Sequence, residues 1–83
     1  MPLIVVKAYP KDESIKQEVA EEITRIFTEK WGCAREAVTV KIESYEPDVW
    51  AKEIKEKEID LHREEMLILE GKPQFAAEAG KES

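Results

Sequence analysis

Proline at position 2, directly behind Met1, is the residue in this chain best suited to moving a proton. Removal of a methionine that precedes so small a residue would expose a secondary amine. An amine at a chain start titrates near ~8 when solvated. In an apolar pocket its charged form is disfavoured and its pKa falls toward neutrality, which suits a general base or acid. Residues 3–6 are Leu-Ile-Val-Val and would seat that amine at the mouth of a core. Met-Pro starts also arise by accident, so Pro2 needs company. Lys11 offers some: it is a cation in the loop that follows the apolar stretch. Read alone, it is equally a solvated loop lysine.

Other reactive types carry less. Cys33 has no histidine at a recognisable spacing, which reads as a loop or partly buried thiol. His62 stands among Asp60, Arg63, Glu64 and Glu65, with no second histidine or nucleophile, which reads as a helical surface residue. No Cys/His cluster offers a metal site and no Gly-rich loop offers a phosphate cradle.

Composition sets bounds on the function. The chain has 83 residues and a net charge of -6, from 19 acidic and 13 basic residues. That balance repels a phosphate backbone, and no local basic patch offsets it, so nucleic-acid binding is not expected. Apolar runs are far shorter than the ~20 residues of a membrane span, and no signal peptide is evident. A single cysteine fits a reducing cytoplasm. A chain this short buries only about 60% of its unfolded surface. With neither disulfide nor metal to add stability, oligomerisation is the expected source of it.

The elements that must position these residues follow from periodicity. Residues 3–7 read as a strand with both faces buried. A loop with Pro10 leads to a helix whose start is marked by Asp12 as a cap and by the capping-box pair Ser14 and Gln17. Ile15, Val19, Ile23, Ile26, Phe27 and Trp31 form its apolar stripe, with Trp31 in the core, and Gly32 ends it. Residues 38–43 alternate strictly: Val38, Val40 and Ile42 share one face, and Thr39, Lys41 and Glu43 share the other. Strand, long helix and strand predict a parallel pair with a right-handed crossover. One helix leaves a sheet face and a sheet edge that a second copy could cover. Pro47 opens a second helix, along which Trp50, Ile54, Glu58 and Leu61 share one side. Ile59 falls off that stripe, so this helix is covered on two sides or broken near it. The pair Glu53 and Lys57 belongs to a solvated face. Residues 66–69 are a last helical turn or a short strand, stopped by Gly71-Lys72-Pro73. No repeat or linker divides the chain, which predicts one domain over residues 1–83 with a frayed tail from about residue 76.

Pro2, the apolar strand, Lys11, the long helix and the alternating second strand together resemble the 4-oxalocrotonate tautomerase family. The likeness is greater to short tautomerases with a Glu/Gln-Pro-x-x-Trp segment after the second strand, which here is Glu46-Pro47-Asp48-Val49-Trp50. Glu58-Ile59 and the closing Lys72-Pro73-Gln74-Phe75 continue the likeness, which spans residues 2–75. It implies an α+β chain of the β-α-β tautomerase fold whose sheet is completed by oligomerisation, with a homodimer favoured and a hexamer the alternative. It also implies enol–keto proton transfer on small 2-oxo or 2-hydroxy carboxylates, with Pro2 catalytic, Lys11 on the substrate and no cofactor or metal. Trp50 matches the aromatic wall of the family's pocket; it equally suits the inner face of the second helix. A second arginine, present in the best-known members, is replaced here by Thr39. Lys41, on the same strand face, or Arg35, just before the strand, could substitute. Lysine lacks the planar fork of arginine, so a looser carboxylate grip is expected. A non-catalytic oligomerising or protein-binding module on the same scaffold is the competing reading.

Overall fold

The computed structural model describes residues 1–75; the expected frayed tail from residue 76 lies outside them. The chain is α+β, built on a parallel strand pair and two helical segments. Its contacts group it into two compact units, Met1–Trp50 and the segment from Ala51 onward.

In the first unit, β1 (Leu3–Ala8) leads through a loop to α1 (Glu13–Ile26) and returns as β2 (Thr39–Ser44). The strands run parallel with Leu3 opposite Thr39, Val5 opposite Lys41 and Lys7 opposite Glu43. Alternation puts Ile4, Val6, Val40 and Ile42, all half-buried, on one face. Leu3, Val5, Thr39, Lys41 and Glu43 occupy the other. Within this chain that second face is open: Leu3 is 67% exposed, and Val5 is exposed as well. The expectation that both faces of β1 are buried is therefore corrected. One crossover helix covers one face only.

The apolar stripe of α1 is likewise only partly covered. Thr24 is the buried residue of this helix, with Ala20, Ile23 and Phe27 half-buried around it, while Ile15, Val19 and Ile26 stay exposed. The hydroxyl of Thr24 donates to the carbonyl of Ala20 at 2.8 Å, so its burial leaves no polar group unmatched. Small Ala20 and Thr24 occupy the middle of the covered face, and the larger side chains flank it. Asp12 stands at the N-cap position, but neither it nor the Ser14–Gln17 pair forms a side-chain cap.

The helix widens into a π-turn over Phe27–Trp31 and stops at Gly32, whose φ of 79° and ψ of 20° are left-handed. Trp31 is 72% exposed and rests against Phe27, with ring centroids 5.2 Å apart. A core position for Trp31 is thus overturned. A 3-10 turn, Arg35–Ala37, feeds β2.

Pro47 sits in the first turn of α2 (Pro47–Val49), and a π-helix over Trp50–Ile59 follows. This geometry accounts for Ile59. In an α-helix of 3.6 residues per turn, Ile54 and Ile59 lie ~140° apart. In a helix bonded i to i+5 they lie roughly one turn apart, on one side. Ile54 is 4% exposed and Ile59 half-buried. The helix does break there: a 3-10 segment, Asp60–Glu65, takes over, with His62 outside helical φ/ψ. Residues 66–69 resolve as a strand: β3 (Ile68–Leu69) pairs antiparallel with β4 (Lys72–Pro73). The Lys72-Pro73 pair, read as a stop, is the returning strand. Glu70 and Gly71, with φ of 52° and 79°, form its two-residue turn. No helix among the described residues is long and apolar enough to cross a membrane.

Candidate active site

The residues singled out from the sequence fall at different places on the strand pair. Pro2 is half-buried at the N-terminal end of β1, and its carbonyl accepts the N–H of Thr39 at 3.1 Å. That bond extends the parallel ladder by one step and fixes Pro2 beside β2. Its ring nitrogen takes no part in the ladder. While Met1 is attached, that nitrogen is an amide and has no proton affinity to speak of.

Arg35 lies at the same end of the sheet, in the turn before β2. Its guanidinium donates to both oxygens of Glu21 on α1, at 3.0 and 3.1 Å. Lys41 stands mid-strand on the open face, opposite Val5, and pairs with Glu43 at 2.8 Å. The carboxyl of Glu43 is held below its ordinary range, first by the hydrogen bond from Lys41 and then by that from Tyr45, whose hydroxyl is 2.7 Å away. Both candidates for the role of the missing strand arginine are therefore committed to carboxylates within this chain.

Lys11 is at the opposite end. It lies beyond the C-terminal end of β1, and no ion pair engages it among the described residues. The strand separates it from Pro2: six steps from Pro2 to Ala8 span about 20 Å. A single chain cannot bring both residues to one small substrate. Trp50 is also at the Lys11 end, where its ring meets Tyr9 edge-on with centroids 5.5 Å apart. In this chain it walls nothing at Pro2.

What the structure does assemble at that end is a pocket of about 100 Å³. Val6, Ala8 and Ile42 come from the helix-facing side of the strands, and Ile15 and Val19 from the first turns of α1. Tyr9, Lys11 and Lys16 complete it. Lys16 lends its apolar stem while its ammonium pairs with Glu13 at 2.9 Å. The ends of parallel strands, next to a helix start, are where open α/β sheets commonly take ligands. Tyr9 and Lys16 were not singled out from the sequence. The aromatic between Ala8 and Pro10 was the available signal for Tyr9; nothing in the pattern around Lys16 sets it apart from the other lysines.

The remaining candidates are surface features. The ring of His62 is exposed and lies 3.0 Å from Glu65. The Sγ of Cys33 donates to the carbonyl of Phe27 at 3.5 Å. Among the described residues no group of three or more His, Cys, Asp or Glu side chains is placed to hold a metal ion. No protein-family model and no curated protein matches the chain.

Proposed function

We propose that this chain is the protomer of a cofactor-independent tautomerase that moves a proton between enol and keto forms of small 2-oxo or 2-hydroxy carboxylates. The position of Pro2 carries the reading: a strand end locked by the Thr39 hydrogen bond, half-buried, with the ring nitrogen outside the ladder. Once Met1 is removed, that nitrogen is a secondary amine on a rigid mount. Partial burial lowers its proton affinity toward the range where it can both take and return a proton. Lys11 supplies the positive charge for the enolate oxygen or the carboxylate.

Because about 20 Å of strand separates the two groups, the reading requires a second copy. In a homo-oligomer, with a dimer favoured, Lys11 and Trp50 of one protomer approach Pro2 of its partner and exclude water from its amine. The open sheet face bearing Leu3 and Val5 is the surface such a partner would cover. The protein would work in the cytosol, where Cys33 stays a thiol.

The deciding experiment titrates the amine of Met1-free, ¹⁵N-proline-labelled protein by NMR while following ketonisation of an aryl enol pyruvate. The reading expects a Pro2 pKa below that of a free chain start, and a rate that follows the neutral amine. An ordinary amine pKa with no ketonisation would overturn it. One observation favours a second reading, a non-catalytic oligomerising module: exposed apolar side chains such as Leu3 and Trp31 need covering whether or not Pro2 reacts. Turnover separates the two.

A further inference from the structure

Residues 51–58, Ala-Lys-Glu-Ile-Lys-Glu-Lys-Glu, are nearly all strong α-helix formers, and no glycine or proline occurs between Pro47 and Gly71. Local preference therefore favours one continuous α-helix. The chain instead takes the rare i to i+5 pattern over Trp50–Ile59 and leaves it for a 3-10 turn, with His62 outside helical φ/ψ. Where geometry overrides local preference without a breaker residue, a strained or functional element is the expected reason. Two features hold the wide register. Ile54 is buried and Ile59, five residues on, is half-buried. The Nζ of Lys55 donates to both oxygens of Asp60, again five residues on, at 3.2 Å. In an α-helix the members of each pair would stand ~140° apart and separate.

The α register has a set of its own. Ile54 and Leu61, seven residues apart, would lie within ~20° of each other on one side. Glu53 and Lys57, paired at 3.2 Å, have the four-residue spacing that suits an α-helix. In the observed register Leu61 is 66% exposed. We propose that residues 50–65 form a two-register switch. The wide register covers Ile59 and displays Leu61; the α register, continuous through Asp60–Glu65, covers Leu61 and displays Ile59. The exchange trades one apolar side chain for its isomer, so the area buried nearly balances and small terms decide. The Lys55–Asp60 bridge favours the wide register, and helix propensity favours the other. The two registers offer different apolar residues to a partner, and a partner shifts the balance only by preferring one of them. This switch is independent of the chemistry at Pro2.

The test reads the register directly in the isotope-labelled full chain. NMR couplings across hydrogen bonds identify which carbonyl accepts each amide, and relaxation dispersion detects a minor register exchanging on the μs–ms timescale. The parent should show i to i+5 bonding within Trp50–Ile59 and exchange at residues 54–63, with the α register at up to ~10%. Ile59→Ala removes the wide register's apolar anchor and should turn the bonding to i to i+4, with helical shifts running through residue 65. Leu61→Ala removes the α register's anchor and should quiet the exchange. Lys55→Gln, an exposed change that keeps helix propensity, should raise the minor population about twofold, as expected for one surface ion pair. Should Ile59→Ala fail to fold, Lys55→Gln decides, and an unchanged minor population there overturns the switch. The inference also falls if the parent is bonded i to i+4 throughout or shows no exchange at these amides. It falls if Ile59→Ala folds and keeps i to i+5 bonding, or if the exchange persists unchanged in Leu61→Ala.

Discussion

The tautomerase reading sets different demands on Lys11 and Pro2, which lie at opposite ends of one strand. An amine that must be neutral needs apolar neighbours, and a nearby cation helps by disfavouring its protonated form. A cation that must hold a carboxylate needs to be free of competing acids. Lys11 is free of them among the described residues, whereas Lys41 and Arg35 are not. Lys11→Ala should therefore lower turnover of carboxylate-bearing enols while leaving stability within ~0.5 kcal/mol, because the residue sits in an exposed loop. Unchanged steady-state kinetics would reduce it to a solvated lysine and promote Lys41 or Arg35. Glu43 gives a second residue-scale expectation. Hydrogen bonds from Lys41 and Tyr45 hold its folded-state pKa below the ordinary value of 4.5. A depressed carboxyl stabilises the fold above its unfolded pKa, and that contribution is lost as pH falls through the folded value. Acid unfolding followed by circular dichroism should show a shallower stability loss below pH ~4.5 for Glu43→Gln than for the parent; superimposable curves would show that the Lys41–Glu43–Tyr45 cluster contributes nothing to the fold.

At the scale of elements, the conformations that break regularity are the testable ones. The hairpin turn places Glu70 at a φ of 52° ahead of Gly71 at 79°, the sign pattern of a tight two-residue hairpin. Glutamate is a poor occupant of that conformation, and asparagine a good one. Glu70→Asn should stabilise the hairpin by several tenths of a kcal/mol, read as slower amide exchange at Gln74, whose N–H donates to the carbonyl of Leu67 at 2.7 Å. Loss of the 3.8 Å contact from Arg63 to Glu70 should matter little, since both side chains are exposed. Gly32 is the mirror case: a Cβ there would meet nothing within 4 Å, so the cost of Gly32→Ala is backbone strain alone. Urea unfolding should show a loss of about 1 kcal/mol, with Gly32→Asn losing less. These elements were unevenly legible in the sequence. Strict alternation and a Pro47 start declared β2 and α2, and Gly32 declared the end of the first helix, because each rests on local backbone chemistry. The widened helix was not legible as such; that Ile59 falls off the α-helical stripe holding Ile54 was its only trace. The exposure of Trp31, Leu3 and Val5 was misread for a different reason. Apolar spacing says that a face wants covering, but not whether the same chain or another copy covers it.

At the scale of the molecule, that uncovered surface and the distance between Pro2 and Lys11 both bear on the oligomer reading. Among the described residues Ile54 is the only apolar side chain that is buried, and an 83-residue chain with so little interior is expected to gain stability by oligomerising. Leu3 and Val5 lie side by side on the open sheet face with no cover of their own. Leu3→Lys should leave the isolated protomer folded and shift sedimentation toward the monomer, because the side chain is already exposed in one chain and would be desolvated only in an oligomer. A parent protein that sediments as a stable folded monomer at micromolar concentration would end the oligomer reading. Subunit mixing then tests whether the site is shared. A chain with retained Met1 lacks the amine but keeps Lys11, and a processed Lys11→Ala chain keeps the amine but lacks the cation. If the site draws Pro2 and Lys11 from different protomers of a twofold dimer, each mixed dimer contains one site with both groups intact. Equal mixing with free exchange should then restore roughly a quarter of the parent sites. Recovery above the sum of the two separate variants is the expected result. Activity no greater than that sum, with exchange verified by mass, would mean that Pro2 and Lys11 do not share a site, and the tautomerase mechanism would have to do without Lys11.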